Sequence, residues 1–125
     1  MITGKIVNSK EAIIELEVVG VVPPQKIEAV IDTGFTEELM LPGDLIDRLG
    51  LPRVGELPIT LGDGQTVDVE MYLAIVLWHD EERIVQVLRT DGKALVGMSR
   101  MSLLYRNRLT LDIVIDGEVT IETLQ

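Results

Sequence analysis

The sequence has 125 residues, of which 46% are hydrophobic and only 3% aromatic, so it can form one domain with an aliphatic core. Lys and Arg total 11 against 21 Asp and Glu, and the net charge of −10 disfavours binding to nucleic acid or anionic membranes. The absence of cysteine excludes disulfides, thiol catalysis and cysteine-ligated zinc.

The sequence predicts no secretory signal and no membrane-spanning segment. The first ten residues, MITGKIVNSK, contain no apolar region of the kind that begins a secretory signal. The apolar run from Tyr72 to Trp78 is too short to span a bilayer. We therefore expect residues 1–125 to form a single cytoplasmic domain with no membrane or nucleic-acid partner.

Alternation with a period of two dominates the chain and predicts strands. The first long strand, EAIIELEVV, places four aliphatic side chains on one face: Ala12, Ile14, Leu16 and Val18. A loop at Pro23-Pro24 separates it from KIEAVID, which predicts a second strand that leads into Asp32. A short helix is predicted for PGDLIDRLG, since Pro42 stands near its start and Gly50 at its end.

The second half of the chain continues the β pattern. Alternation predicts a strand from Val67 through Trp78 and another over RIVQVLR. The stretch from Met98 to Leu104 is a candidate second helix of one or two turns. Near the end, four aliphatic residues share a strand face before a turn at Asp116-Gly117, and EVTIE returns: Leu109, Leu111, Ile113 and Ile115. Together these elements predict an all-β, small closed barrel-like fold with one or two short helices.

The segment that carries chemistry is Asp32-Thr33-Gly34, at the end of an apolar strand. An ionised carboxylate there is costly unless it is hydrogen-bonded or shares a proton with another carboxylate. In such a pair, one carboxylate acts as general base on water while the protonated one donates a hydrogen bond to the substrate carbonyl. Gly34 supplies an unhindered backbone donor, and Thr33 supplies a hydroxyl that can brace the loop.

The string VIDTG, ending at Gly34, resembles the active-site motif of the retropepsin-like (clan AA) aspartic proteases, and DTGFTEELMLP resembles their small bacterial single-lobe members. A hairpin signal from Leu61 to Gln65 stands where this family carries its flap. Ala94-Leu95-Val96-Gly97 resembles the family's second signature. The resemblance implies an aspartic endopeptidase without metal or cofactor, in which Asp32 is catalytic and Thr33 and Gly34 orient it.

A carboxylate pair requires two such motifs, and the chain contains one. The resemblance therefore implies a homodimer in which Asp32 meets the same residue of a second copy, with Thr33 bonded across the axis. The terminal strands are candidate interface elements, because exposed edges invite pairing. The substrate is expected to be a peptide or protein that contacts five residues: Phe35, Gly62, Asp63, Gly64 and Gln65.

Three positions depart from the retroviral pattern. Phe35 replaces a small residue after the glycine, and Thr36 and Met98 stand where that pattern often has a paired Asp and Arg. Both charges are replaced together, so neither is left without its partner. Phe35 could also fill part of the substrate groove.

Other interpretations of these features remain open. Asp32 could be a structural turn residue, since Asp-Thr-Gly also suits tight turns. Gly62-x-Gly64 is a weak phosphate signal without the lysine of a phosphate loop. His79, the only histidine, could ligate a metal, but a solvated turn between strands is favoured. The alternative function is a catalytically inactive peptide-binding or assembly module with the same fold.

Overall fold

The computed structural model describes residues 1–124, which contain ten strands and one helix. The elements follow in chain order: β1 (Ile2–Val7), β2 (Glu11–Val19), β3 (Gln25–Ile31), β4 (Leu39–Pro42), α1 (Gly43–Leu49), β5 (Arg53–Thr60), β6 (Thr66–Trp78), β7 (Glu81–Thr90), β8 (Leu95–Val96), β9 (Asn107–Leu111) and β10 (Glu118–Thr123). The mostly β composition predicted from alternation is confirmed.

Six strands form a closed ring within one sheet. The order β6-β7-β4-β8-β3-β2 is completed by an additional pairing between β6 and β2. Strand β5 is added outside the ring on β6, and β1, β10 and β9 continue from β2. Closure removes exposed edges from the ring, which confirms the prediction of a barrel-like sheet.

Strands β2 and β6 are long because each pairs with two different strands along one of its edges. Strand β6 pairs with β7 from Met71 to Trp78. Its other edge pairs with β5 over Thr66–Tyr72 and with β2 over Ile75–Leu77. The first half of β6 therefore extends past the ring with β5 as a two-stranded hairpin.

The core inside the ring is mostly aliphatic, as the composition requires. In β2, the predicted face is confirmed, because Ile14, Leu16 and Val18 are fully buried. In β6, the buried side chains are the alternate set that begins at Tyr72 and ends at Trp78. Burial of such a face is the main stabilising term, at about 25 cal/mol per Å² of apolar surface.

The predicted helix over Pro42 to Gly50 is confirmed. Gly50 has a left-handed backbone (φ 63°), and its N–H donates to the Asp47 carbonyl at 3.1 Å, which ends α1. Arg89 on β7 donates two hydrogen bonds to the Asp47 carboxylate, at 2.9 and 3.1 Å. This contact lowers the pKa of Asp47 and attaches the helix to the ring.

The predicted second helix at Met98 to Leu104 is wrong, because this segment forms a series of turns. Its backbone bonds join residues three apart, as in Ser102 N–H to the Ser99 carbonyl at 2.8 Å. The Ser102 hydroxyl donates to the Gly97 carbonyl and accepts from the Leu104 N–H at 3.2 Å. These side-chain bonds compete with the helical pattern.

The final hairpin exists, but its turn is longer than predicted. Strand β9 ends at Leu111, and the chain reverses over residues 112–117 instead of at Asp116-Gly117 alone. Ile113 and Ile115, assigned to a strand face by alternation, lie in this connection and are 65% and 81% exposed. Within the chain, the terminal strands β1 and β10 each pair on both sides.

The edges of the sheet are β5 and β9, and β9 belongs to the C-terminal hairpin. Within residues 1–124, no helix has the length and apolar character needed to cross a bilayer.

Candidate active site

Asp32 follows the last residue of β3, where the ring passes from β3 to β8. Its backbone N–H donates to the Val96 carbonyl at 2.9 Å, so the parallel β3–β8 pairing continues one residue past the strand. Its own carbonyl accepts the Phe35 N–H at 3.1 Å and closes a tight turn over Thr33 and Gly34. The turn thus holds Asp32 at the end of a buried strand, as predicted.

One oxygen of the Asp32 carboxylate is held by the backbone. The Gly34 N–H donates to Oδ1 at 2.9 Å. Within residues 1–124, no cation forms an ion pair with Asp32, and no other hydrogen bond reaches its side chain. The residue is half-buried, while Thr33 and Gly34 are exposed. The carboxylate is therefore oriented by one donor and otherwise accessible.

Gly97 brings the second motif, Ala94-Leu95-Val96-Gly97, against the segment between β3 and β4. We call this segment, residues 32–38, the Asp32 loop. The Gly97 N–H donates to the Glu38 carbonyl at 2.9 Å, and the Met98 N–H donates to the Phe35 carbonyl at 2.8 Å. A Cβ atom on Gly97 would lie 1.9 Å from the Glu37 carbonyl oxygen, so only glycine permits this approach. The spatial association of Asp-Thr-Gly with the Ala-Leu-Val-Gly segment thus has a backbone cause.

These backbone bonds also explain how the loop is braced without an ion pair. Thr36 and Met98 carry no charge, and the two loops are joined by main-chain donors at Asp32, Gly97 and Met98. The ring of Phe35 packs on Gly97, since a Cβ there would lie 2.8 Å from Phe35 Cδ2. Phe35 is half-buried and contributes to this packing.

Sequence reasoning missed two buried polar residues beneath the site. Glu38 is only 6% exposed, and its Oε2 accepts the Gln86 N–H at 2.6 Å. Burial raises the pKa of Glu38, and the bond from Gln86 opposes this effect. Ser102 is fully buried and supports the Gly97 carbonyl through its hydroxyl. No local pattern distinguishes Glu38 from Glu37, or Ser102 from Ser99.

The predicted substrate-contacting residues from Gly62 to Gln65 occupy the tip of the β5–β6 hairpin. The Leu61 N–H donates to the Gln65 carbonyl at 2.7 Å, and the Gln65 N–H donates to Asp63 Oδ1 at 2.9 Å. All of these tip residues are exposed. In the part of the chain that the structure describes, no hydrogen bond or ion pair joins the tip to the Asp32 loop.

The structure therefore places the sequence-predicted residues in two groups. Asp32, Thr33, Gly34 and Phe35 form one continuous loop against Gly97, whereas the hairpin tip stands apart. His79 lies in the predicted turn between β6 and β7, but it is half-buried rather than solvated. Across residues 1–124, no group of three or more His, Asp or Glu side chains is arranged to hold a metal ion.

Among solved structures, this chain is similar to "EIAV protease complexed with the inhibitor HBY-793". The TM-score is 0.59 at 14% sequence identity, and the match covers 74% of this chain and 86% of that chain. No family model and no curated protein matches the sequence. Likeness at this identity shows the fold, and the chain has the retropepsin-like fold that its motifs indicate.

Proposed function

We propose that this protein is an aspartic endopeptidase whose catalytic pair is formed by Asp32 from each of two copies. The observation that carries the proposal is the Asp32 carboxylate itself, placed in a retropepsin-like fold. One of its oxygens is held by the Gly34 N–H at 2.9 Å, and no cation within residues 1–124 is paired with it.

The proposed mechanism uses the two carboxylates in different protonation states. The ionised carboxylate takes a proton from a water molecule, which attacks the peptide carbonyl carbon. The protonated carboxylate donates a hydrogen bond to the carbonyl oxygen and stabilises the negative charge that develops there. The pair must hold one proton between its two carboxylates. Activity is therefore expected to be greatest at acidic pH.

Two exposed residues support the participation of a second copy. The Thr33 side chain makes no hydrogen bond within residues 1–124, so its hydroxyl is available to bond across a two-fold axis. A Cβ on Gly34 would meet only Asp32 Oδ1, at an ordinary 3.4 Å. The absence of a side chain at Gly34 thus serves no packing need of its own chain, and we assign it to leaving room for substrate or partner.

The β5–β6 hairpin is proposed to close over the substrate. Its tip, from Gly62 to Gln65, is exposed, and Gly64 has a left-handed backbone (φ 86°). Over residues 56–70 the two strands pair only with each other, which leaves the tip free to move. Closure would exclude water and place backbone donors near the peptide, with Phe35 at the base of the groove.

A non-catalytic peptide-binding module is the second candidate, and the Asp32 loop supplies the reason. Phe35 occupies a position where the family usually has a small residue, and the charge pair at Thr36 and Met98 is replaced by backbone bonds. A module of this kind would bind an extended peptide in the same groove without cleaving it.

The decisive experiment compares wild type with Asp32→Asn on a peptide library at acidic pH. We expect the variant to lose about 10²-fold to 10⁴-fold in cleavage rate, the usual contribution of a positioned acid–base group. Asp80→Asn is the matched control, because Asp80 lies in an exposed turn with a left-handed backbone that Asn also tolerates. Equal cleavage by Asp32→Asn and wild type would remove Asp32 from the mechanism.

Two further measurements on the same sample separate the candidate functions. Sedimentation is expected to show a dimer for both wild type and Asp32→Asn, and a strict monomer at working concentration would remove the carboxylate pair. A peptide inhibitor that mimics the transition state is expected to bind and block turnover. Binding of this inhibitor without any library cleavage would support the non-catalytic module.

A further inference from the structure

A pocket of about 380 Å³ lies between the β6–β7 turn and the start of β9. We call it the Trp78 pocket, and its lining includes Trp78, His79, Arg83, Tyr105, Arg106 and Asn107. None of them belongs to the Asp32 loop or to the hairpin tip. Its volume is within the range of small-molecule sites.

Trp78 contributes a hydrogen-bond donor that the protein does not use. The side chain is 3% exposed, and its Nε1 has no partner. Within residues 1–124, it is the one buried side-chain nitrogen or oxygen in this condition. A buried donor without an acceptor costs about 1–3 kcal/mol, so such groups call for an explanation.

Two arginines that form no ion pair within residues 1–124 line the same pocket, although Arg83 is near enough to Glu38 to oppose the rise that burial causes in its pKa. Arg53, Arg89 and Arg108 each form an ion pair, whereas within the described residues Arg83 and Arg106 form none. Arg106 instead lies 5.9 Å from the centre of the Tyr105 ring. Glu81 is the acidic lining residue that opposes them. The lining therefore carries two cations against one carboxylate, in a protein whose net charge is −10.

The walls of the pocket are held in place by a side-chain hydrogen-bond network. Asn107 Nδ2 donates to the Leu103 and Tyr105 carbonyls at 2.9 and 3.0 Å, which fixes the orientation of its amide. Asn107 Oδ1 must then accept from His79 Nε2, 2.7 Å away. This bond joins the β6–β7 turn to the start of β9, so the site is preorganised.

We propose that the Trp78 pocket binds a ligand that carries a carboxylate on an apolar stem. The guanidinium groups of Arg83 and Arg106 and the indole N–H are all donors, and a carboxylate is an acceptor that can bond to several donors at once. The Trp78 and Tyr105 rings and the Leu124 side chain supply apolar surface for the stem. The C-terminus of a peptide and a small organic acid share this chemistry.

Trp78 is the sole tryptophan, so its indole N–H resonance reports on this site alone. The probe is the tripeptide acetyl-Ala-Ala-Leu with a free carboxylate, and its C-terminal amide is the matched control. We expect the free acid to shift the indole resonance saturably at about millimolar concentration, and the amide to leave it unchanged. A parallel titration with 4-methylpentanoate distinguishes a peptide C-terminus from a small organic acid as the ligand. A site for small acids should bind 4-methylpentanoate as tightly as it binds the tripeptide.

Variants of the two cations test the assignment. Arg83→Gln and Arg106→Gln are each expected to weaken binding of the tripeptide about tenfold, the scale of one charge-assisted hydrogen bond. Arg106→Lys keeps the charge and should lose less. Arg100→Gln is the control, because Arg100 is exposed and does not line the pocket. Thermal unfolding of each variant verifies that it is folded.

The inference does not depend on the proposed protease function. Asp32→Asn is expected to bind the tripeptide as tightly as wild type does, even where library cleavage is lost. Three results would overturn the proposal: no saturable shift of the Trp78 resonance with either acid, an equal shift with the amide, or unchanged affinity in both glutamine variants.

Discussion

The loop between β3 and β4 contains three carboxylates, and the surroundings of Asp32 and Glu38 differ. Asp32 is half-buried, is held by the Gly34 N–H, and is otherwise accessible. Glu38 is buried, and its Oε2 accepts the Gln86 N–H just before β4 begins to pair with β7. Glu38 therefore takes the place of a backbone carbonyl and extends the parallel ladder. Asp32 is the proposed catalytic residue, whereas Glu38 joins β4 to β7 through its bond from Gln86.

The pH dependence of stability tests the role of Glu38. Burial raises its pKa in the folded state, so its contribution to stability is fully present below its unfolded pKa and is lost as pH rises through the folded value. Glu38→Gln keeps an acceptor for the Gln86 N–H without the buried charge. We expect the variant to match wild type at about pH 4 and to be the more stable at about pH 7.

Urea denaturation at both pH values measures this difference. Glu82→Gln is the matched control, because Glu82 is exposed and lies on β7, the strand that carries Gln86. The control removes one negative charge from the surface, so the difference in unfolding free energy between Glu82→Gln and wild type should depend little on pH. A Glu38→Gln variant that loses stability relative to wild type as pH rises would contradict this account.

The contact between Asp32 and Gly34 could be inferred from sequence, whereas the burial of Glu38 could not. Asp-Thr-Gly is a local motif, and the Gly34 N–H reaches the carboxylate two residues away. Glu37 and Glu38 are adjacent and chemically alike. Only the pairing of β4 with β7 decides which of them is buried, and that pairing joins residues far apart in the chain.

At the scale of elements, the site is a junction of two loops joined by main-chain bonds. The N–H groups of Asp32, Gly97 and Met98 donate across it. The approach is close enough that any side chain on Gly97 would meet the Glu37 carbonyl. The stability of this junction should therefore depend strongly on Gly97.

We expect Gly97→Ala to lower the free energy of unfolding by about 3 kcal/mol, at the upper end of overpacking penalties, because a methyl group would lie 1.9 Å from the Glu37 oxygen. Gly62→Ala is the control, since a Cβ there meets no atom within 4 Å, and its effect should stay within about 0.5 kcal/mol. Denaturant unfolding of both variants measures the contrast. Equal stabilities would show that the loops can separate at little cost.

The elements that could be predicted from sequence are those formed by interactions between residues close together in the chain. Helix α1 was predictable because Pro42, Asp44, Arg48 and Gly50 act within its own turns. The segment from Met98 to Leu104 has no proline, acidic residue or glycine of this kind, and it forms turns in which the Ser102 hydroxyl donates to the Gly97 carbonyl. Strand β9 likewise stops at Leu111, although alternation continues to Ile115.

At the scale of the whole molecule, the net charge opposes the proposed dimer. Each copy carries −10, so association brings like charges together. We expect the dimer to tighten as salt rises from about 0.01 M to about 1 M, because the Debye length falls from about 30 Å to about 3 Å. Sedimentation across this range measures the change. A dimer that loosens with salt would mean that ion pairs hold it together.

The sequence by itself determined the local features of this protein: the strands with alternating faces, helix α1, the aliphatic core and the Asp-Thr-Gly turn. Each depends on residues that lie within a few positions of one another. The tertiary structure alone decided the closure of the ring through β6 and β2, the burial of Glu38 and the convergence of cations around Trp78. These depend on which distant strands become neighbours, and no local period in the sequence specifies that pairing.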